Sequence, residues 1–428
     1  MFKIYRDLEK LEKERKSISV AIVGSGKMGV SLLSLLIKLP GFDPKILVNR
    51  TLSKAEEAYR RFGIKNIARV SSIEESRKAL EAGDYLVSAD YRIAVESKQI
   101  DVVVDATGIP ELGAEICLAC FENKKHVVML NVECDAVIGP ILRKKAMEAG
   151  VVYTGTKGDE PGAIVDLVEF AQMIGAEVQV VGKGKNNKLD PYASQESLKI
   201  DAENKKLSQR MMTSFVDGTN TMIELTSVGN ALGFTPDIEG CHGVEAKPET
   251  CAKIFSLKKD GGILSSLKTV DFSFGMAPGV FAVVSSDNEE VRDILTYLGF
   301  GEGPLFTLFR PYHLISLETP ISIYNAVILK ETSISAEKGR ICDTIAVSKG
   351  DFAKGEKLEG IGSDKVFGRI VSRQDQEKGN YLPIGLINDK TSFKVPVKKG
   401  QHITYDMVEL DRDSLLTRLR MEQDKLGL

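Results

Sequence analysis

An α/β chain led by a doubly wound parallel sheet is the fold class that this sequence predicts, on three observations. An apolar run, Ile18–Val23, leads into Gly24-Ser25-Gly26-Lys27-Met28-Gly29 and then into the helical stretch GVSLLSLLIK. Apolar strand-like runs and helical segments then alternate to about residue 160, a pattern that places helices on both faces of a parallel sheet. From Asp343 onward, short strand-like runs alternate with turns bearing Gly, Lys and Asp, as in a small β-rich module. Between these parts, about 162–330, longer helical segments mix with runs such as VQVVGKGK and GVFAVVSS, which suits an α+β substrate and dimerisation domain. The expected domains are therefore 1–160, 161–340 and 341–428.

Taken in order, Lys45–Val48 reads as the second strand, Lys54–Phe62 as a helix and Ile67–Val70 as a short strand. Ser71–Lys98 reads as a charged, helix-leaning insertion. Asp101–Asp105 and His126–Leu130 are buried strands, separated by a helix over Pro110–Glu122; a helix over Ile138–Ala149 and a strand over Val151–Tyr153 follow. Ser316–Leu329 is expected to be a helix returning to the nucleotide domain. Asp411–Leu426 is an amphipathic helix with Leu415, Leu416 and Leu419 on one side, suited to sealing a subunit contact.

The glycine motif carries a mechanism because of where it sits. Gly24 permits the tight turn, Gly26 lets a pyrophosphate approach the backbone, and Gly29 allows helix and strand to pack closely. The helix that follows offers free N–H groups to phosphate. The turn after the second strand, Asn49-Arg50-Thr51, lacks the carboxylate that would hold the ribose hydroxyls of NAD. Arg50 suits a 2′-phosphate, so NADP(H) is the expected cofactor. Ala106-Thr107-Gly108, with Asn131 and Glu133, ends neighbouring strands on the same sheet edge. Glu133 reads equally as a ligand for a ribose, a substrate hydroxyl or a metal, and as a helix cap.

Composition excludes several roles. The 428 residues exceed one core; 57 basic against 60 acidic residues give a net charge of −3, so neither nucleic acid nor a charged membrane surface is an expected partner. Six scattered cysteines, Cys117 and Cys120 among them, fit reduced packing residues. The N-terminal MFKIYRDLEKLEKERK is charged and amphipathic, unlike a signal peptide, and no apolar stretch is long enough for a bilayer. A cytoplasmic setting and a homo-oligomer, dimer or tetramer, are the expectations.

Several stretches together resemble the homoserine-dehydrogenase-like oxidoreductases with a C-terminal SAF domain, and most nearly the deoxyxylulose-5-phosphate reductoisomerase-like group. They are the glycine motif, NVECDAVIGPILRKKAMEAGVVYTGTKGDEPG, TSFVDGTNTMIELTSVGNALG, RPYHLISLETP and KVPVKKGQHITYDMVELD. The resemblance implies a Rossmann domain and hydride exchange between NADP(H) and a small polyhydroxylated carbonyl substrate, phosphorylated or not. In the reductoisomerase-like version, part of isoprenoid-precursor synthesis, a rearrangement precedes reduction. A dehydrogenase of sugar-acid, polyol or amino-acid metabolism and a non-catalytic NADP sensor are the alternatives.

Such chemistry needs a cation to polarise the carbonyl and a donor for the alkoxide. Lys183 and Lys185, at alternate positions of GKGKNN, would share one side of an extended segment; surface lysines on a hairpin are the bland alternative. Asp217 precedes an apolar helix, and a similar segment shapes the substrate pocket of homoserine dehydrogenases. His242, Glu245 and Lys247 crowd one glycine-bounded loop. Asp159 and Glu160 read as ligands or turn residues, and His313 as a residue facing the cleft, whereas His126 and His402 read as structural. No compact metal motif is present, so a divalent ion stays open.

Overall fold

The computed structural model describes residues 2–428. The chain forms two compact units: one comprises the residues up to Asp135, Ile141–Gly162 and Leu314–Ser335, the other Ala136–Pro140, Ala163–His313 and Ala336–Leu428.

The first unit is built on a parallel sheet of β1 (Ile18–Val23), β2 (Phe42–Val48), β3 (Ile67–Arg69), β4 (Tyr85–Ser88), β5 (Val102–Asp105), β6 (His126–Met129) and β7 (Tyr153–Gly155). Their spatial order is β3-β4-β2-β1-β5-β6-β7. The chain leaves β1 toward β2 on one side and later returns to β5 on the other, so the strand order reverses at β1. That reversal opens a crevice at the carboxyl ends of β1 and β5. The helices are α1 (Phe2–Lys13), α2 (Lys27–Leu36), α3 (Leu52–Arg61), α4 (Ile73–Glu81), α5 (Tyr91–Glu96), α6 (Pro110–Glu122) and α7 (Val132–Ala149). The core between sheet and helices is aliphatic: Val20, Ile22, Leu32, Leu33, Leu47, Val102, Val104 and Val128 are all fully buried.

Two expectations change here. Ser71–Lys98 does lean helical, with α4 and α5, but it is no mere insertion: it contributes β4 to the sheet, between β3 and β2. Only Tyr85–Ser88 is apolar enough to be buried there, and charged helical turns on either side mask so short a run. Helix α7 begins at the Asn131 cap, well before Ile138, and kinks at Ile138 (φ −133°, ψ 15°). Pro140 causes the break, because it offers no N–H and its ring crowds the preceding turn.

The second unit starts within α8 (Glu160–Met173). Its mixed sheet comprises β8 (Glu177–Gly184), β9 (Val244–Glu245), β10 (Thr269–Phe274), β11 (Val280–Ser285) and β12 (Phe306–Arg310), in the order β12-β11-β8-β10-β9. β8, β10 and β9 run parallel; β11 and β12 are antiparallel additions. Around it lie α9 (Lys199–Lys205), α10 (Gln209–Val216), α11 (Thr219–Leu232), α12 (Pro248–Ile254) and α13 (Glu289–Tyr297). One sheet face packs on α8 and α11 through Val181, Val270, Phe272, Met222, Leu225 and Val228. The other face packs on α12 through Val180, Phe281, Val283, Cys251 and Phe255.

α14 (Ile315–Tyr324) returns to the first unit, as the sequence suggested. Its Ser316 hydroxyl meets that of Ser31 on α2 at 2.9 Å, and Ile323 and Tyr324 enter that core. The C-terminal region then adds β13 (Cys342–Ser348), β14 (Val366–Ser372), α15 (Arg373–Gly379), β15 (Ser392–Phe393), β16 (Val408–Glu409) and α16 (Leu415–Lys425). β13 and β14 form a hairpin held on α11: Thr226 and Thr344 share a 2.8 Å hydroxyl contact, and Asn230 Oδ1 accepts from the Ile341 and Cys342 amides. α16 starts after a Ser414 cap, later than Asp411. Its buried face, with Leu416, Leu419 and Arg420, is covered within its own unit, where Arg420 grips Asp343 with two bonds of 2.6 and 2.8 Å. That face is not left over for a subunit contact.

Candidate functional site

In the first unit, the glycine loop and the loop after β5 meet at the crevice. Gly24 has φ +109°, open to glycine and strained for other residues. A Cβ there would lie 2.6 Å from the Ala106 carbonyl oxygen, so the two loops touch. A Cβ at Gly29 would lie 2.0 Å from the Gly24 oxygen, which is how closely α2 presses on the turn. Gly26 is the opposite case: a Cβ there would meet nothing within 4 Å. Beside this open space the Ser25 hydroxyl is buried with no partner in the protein. Lys27 and Met28 form the first turn of α2, whose leading amides lack intrahelical acceptors. An orphan hydroxyl, free helix amides and room at Gly26 fit a bound phosphate.

At the neighbouring turn, Arg50 is exposed, the Asn49 amide donates to the Thr51 carbonyl (3.0 Å), and Thr51 precedes α3. Across the crevice two of the expected residues are held by bonds within the loop. The Asn131 side chain is fully buried: it donates to Asp105 (2.9 Å) and the Ile109 carbonyl (3.0 Å), and accepts from the Cys134 amide (3.2 Å). The Thr107 hydroxyl donates to Asp105 at 2.6 Å. These two side chains shape the loop, whose Ala106, Thr107 and Gly108 backbone lines the crevice. Asp105, which the motif search passed over, is the hub; burial raises its pKa, against the bonds from Thr107 and Asn131. The signal was there: a lone carboxylate closing the apolar strand VVVD. Glu133 stays half-buried in the first turn of α7, and burial pushes its carboxyl up to about 7.

In the second unit, Lys183 and Lys185 are not surface residues. β8 lies inside its sheet, so both are buried, 5% and 6% exposed, on the face that carries α11. Lys183 forms a buried ion pair with Glu224 of α11, and the Asn220 amide donates to the other Glu224 oxygen at 2.6 Å. Lys185 Nζ donates to the Phe215 carbonyl at 2.6 Å. Burial, then the charge of Lys183, pulls the Lys185 ammonium down to about 8, against the attraction of Glu224 and Asp217. Glu224 is the residue that sequence reasoning missed. Its clue was an acid in a helix whose residues from Thr221 to Ala231 are otherwise uncharged and buried.

Four other candidates serve different ends. Asp217 is fully buried and pairs with Lys349 (2.8 Å) while accepting the Thr219 amide (2.9 Å). His242 Nε2 lies 2.9 Å from Asp237, whose carboxylate also accepts the Ser265 and Ser266 amides; this is a loop clamp. Glu245 is exposed on the edge strand β9, two strands from β8, and Lys247 is exposed at the start of α12, which covers the opposite sheet face. Dense polarity in that loop reflects exposure and turn-making, not convergence on the lysines. Asp159 is buried in the first unit and accepts from the Glu160 amide (3.1 Å), and His313 is half-buried after β12. His126 accepts from the Val152 amide and His402 pairs with Glu239, both structural as expected. All six cysteines are buried and unbridged.

A parallel sheet with a glycine loop at its switch point, joined in one chain to a unit holding a buried lysine pair, defines a doubly wound α/β protein with a second, mixed-sheet unit. The family comparison adds to this: residues 158–319 match the model described as the catalytic domain of oxidoreductase DRL. It is similar to a homoserine dehydrogenase of Pseudomonas aeruginosa, 30% identical over 138 residues. That match covers 32% of this chain and 28% of the relative, so the chain spans little more than a quarter of that enzyme's length. Among solved structures, a probable dehydrogenase from Thermotoga maritima is 13% identical, covers 75% of this chain and 92% of its own, with a TM-score of 0.43. The 1-deoxy-D-xylulose 5-phosphate reductoisomerase from Zymomonas mobilis in complex with NADPH is 19% identical, covers 50% of this chain and 58% of its own, with a TM-score of 0.35. Among the described residues, no helix is long and apolar enough to cross a membrane.

Proposed function

We propose that this chain is an NADP(H)-dependent oxidoreductase that reduces a small polyhydroxylated carbonyl compound, with a 1-deoxy-D-xylulose 5-phosphate reductoisomerase-like reaction as the sharpest version. The buried Lys183–Lys185 pair carries the proposal. A nicotinamide, when bound, supplies the hydride. The Ser25 hydroxyl, the open backbone at Gly26 and the first amides of α2 hold its pyrophosphate, and Arg50 pairs with the 2′-phosphate. Lys183, paired with Glu224, attracts the carbonyl oxygen or a substrate phosphate. Lys185, pulled down to about 8, is still protonated at neutral pH yet a far stronger acid than free lysine, so it can hand a proton to the new alkoxide.

A homo-oligomer is part of the proposal, supported by large exposed apolar side chains on and after α13: Ile294, Tyr297 (84% exposed) and Leu298. So is the SAF-like nature of residues 341–428. A second reading, a dehydrogenase of sugar-acid, polyol or amino-acid metabolism, draws on the homoserine dehydrogenase match.

One assay separates them. Phosphorylated and unphosphorylated keto-sugars, sugar acids and homoserine are offered with NADPH or NADH, with and without a chelator and added divalent ions, and products are identified by NMR. Turnover with NADPH that is lost in Lys185→Met, with NADPH affinity kept, supports the proposal. Preference for NADH, or full turnover by Lys185→Met, overturns it.

A further inference from the structure

We propose that Lys349, carried by the C-terminal region, is a positioning residue for the buried lysine pair, acting through Asp217 and the first turn of α11. The inference rests on reading Lys183 and Lys185 as the substrate-facing amines. Lys349 is 4% exposed and Asp217 is fully enclosed; Nζ lies 2.8 Å from Asp217 Oδ2. It also donates to the Ala193 carbonyl (2.9 Å) and the Ser363 carbonyl (2.8 Å), which fixes the ammonium beside Asp217.

Asp217 passes this placement on. Its Oδ1 accepts the Thr219 amide at 2.9 Å, across Gly218 at φ +89°. The Thr219 hydroxyl in turn accepts the Gly368 amide of β14 at 2.8 Å, a second hold of the C-terminal region on the same turn. That turn carries Asn220, which orients Glu224, which holds Lys183. The arrangement also has an electrostatic side. A carboxylate enclosed as Asp217 is takes up a proton unless a cation stays beside it. Lys349 is that cation, and the charge it preserves on Asp217 reaches Lys185. The groups facing Lys185 are thus Lys183, which repels its proton, and Glu224 and Asp217, which retain it. Residues 341–428 are then part of the site and not an appendage to it.

The test reads the amine itself in the full-length protein. The rate of Lys185 acylation by acetic anhydride is followed against pH by mass spectrometry, with NADPH binding followed by fluorescence. Lys349→Met, Asp217→Asn and the charge-free double variant are expected to move the Lys185 midpoint below its value of about 8. Labelling at neutral pH then rises about threefold, the equivalent of a free-energy change on the order of 0.7 kcal/mol. Lys349→Arg is expected to restore the original midpoint, and NADPH affinity to stay within about twofold throughout, since the nucleotide residues belong to the other unit. Folded Lys349→Met or Asp217→Asn protein with an unmoved midpoint overturns the proposal; if either single variant fails to fold, the double variant decides. Failure here leaves the site reading standing, because that reading falls only with full turnover by Lys185→Met.

Discussion

The glycine loop of the first unit and the lysine pair of the second are built from different materials. The loop uses backbone: three glycines, a helix end and one short hydroxyl, all within six consecutive residues, Gly24 to Gly29. The lysine pair uses polar groups from far-apart segments: Lys183 from β8 and Lys185 just after it, Asn220 and Glu224 from α11, Asp217 from the turn before it and Lys349 from the C-terminal region. The first depends on steric room, so its glycines cannot be interchanged. The second depends on charge balance in a low-dielectric setting, where removing one partner harms more than removing both.

Four substitutions sharpen or break that contrast, from the largest expected effect down. Glu224→Gln strips the carboxylate charge from buried Lys183 and is expected to lower stability by about 3–5 kcal/mol, read by urea unfolding. A loss under about 1 kcal/mol would mean that the pair behaves like a surface one. Gly29→Ala drives a methyl into the Gly24 carbonyl, where backbone cannot yield cheaply, and should cost about 3 kcal/mol together with NADPH binding.

Lys185→Met works in the opposite direction. With a folded pKa near 8 and an unfolded value near 10.5, the native state holds the Lys185 proton less tightly than the unfolded chain. Stability of the parent protein therefore rises with pH between these values, and below pH 8 the native state carries the full penalty. The methionine variant should be more stable than the parent below pH 8 by on the order of 2–3 kcal/mol, with the difference fading toward pH 10.5. Thermal unfolding across that range measures it, and a gap that does not change with pH would refute the depressed ammonium. Gly26→Ala is the mildest in stability, within about 0.5 kcal/mol, because its methyl meets open space. It should nevertheless cost at least tenfold in NADPH affinity by fluorescence titration, since that space is where the phosphates are proposed to lie. Equal losses of stability for Gly26→Ala and Gly29→Ala would erase the steric distinction drawn here.

The same contrast explains what could be read in advance. The parallel sheet, the glycine turn and the return of α14 were legible because each follows from local periodicity and local backbone demand. β4 was not, since four apolar residues between charged turns look like part of a helix until neighbouring strands bury them. The polar loop holding His242, Glu245 and Lys247 looked reactive because density along the chain resembles convergence in space. In the fold, His242 faces Asp237 and the other two face solvent. Glu224 went unnoticed for the converse reason, as one acid in an apolar helix with its lysine 41 positions away.

The sequence by itself determined the α/β class, the nucleotide turn and the two lysines at alternate positions of a strand, because steric and periodic rules act between residues a few positions apart. Only the tertiary structure decided that those lysines are buried, that Glu224 and Lys349 balance the charges around them, and that Asn131 is engaged elsewhere. The physical reason is that desolvation and ion pairing depend on which distant segments fold together, and no short stretch of chain encodes its own surroundings.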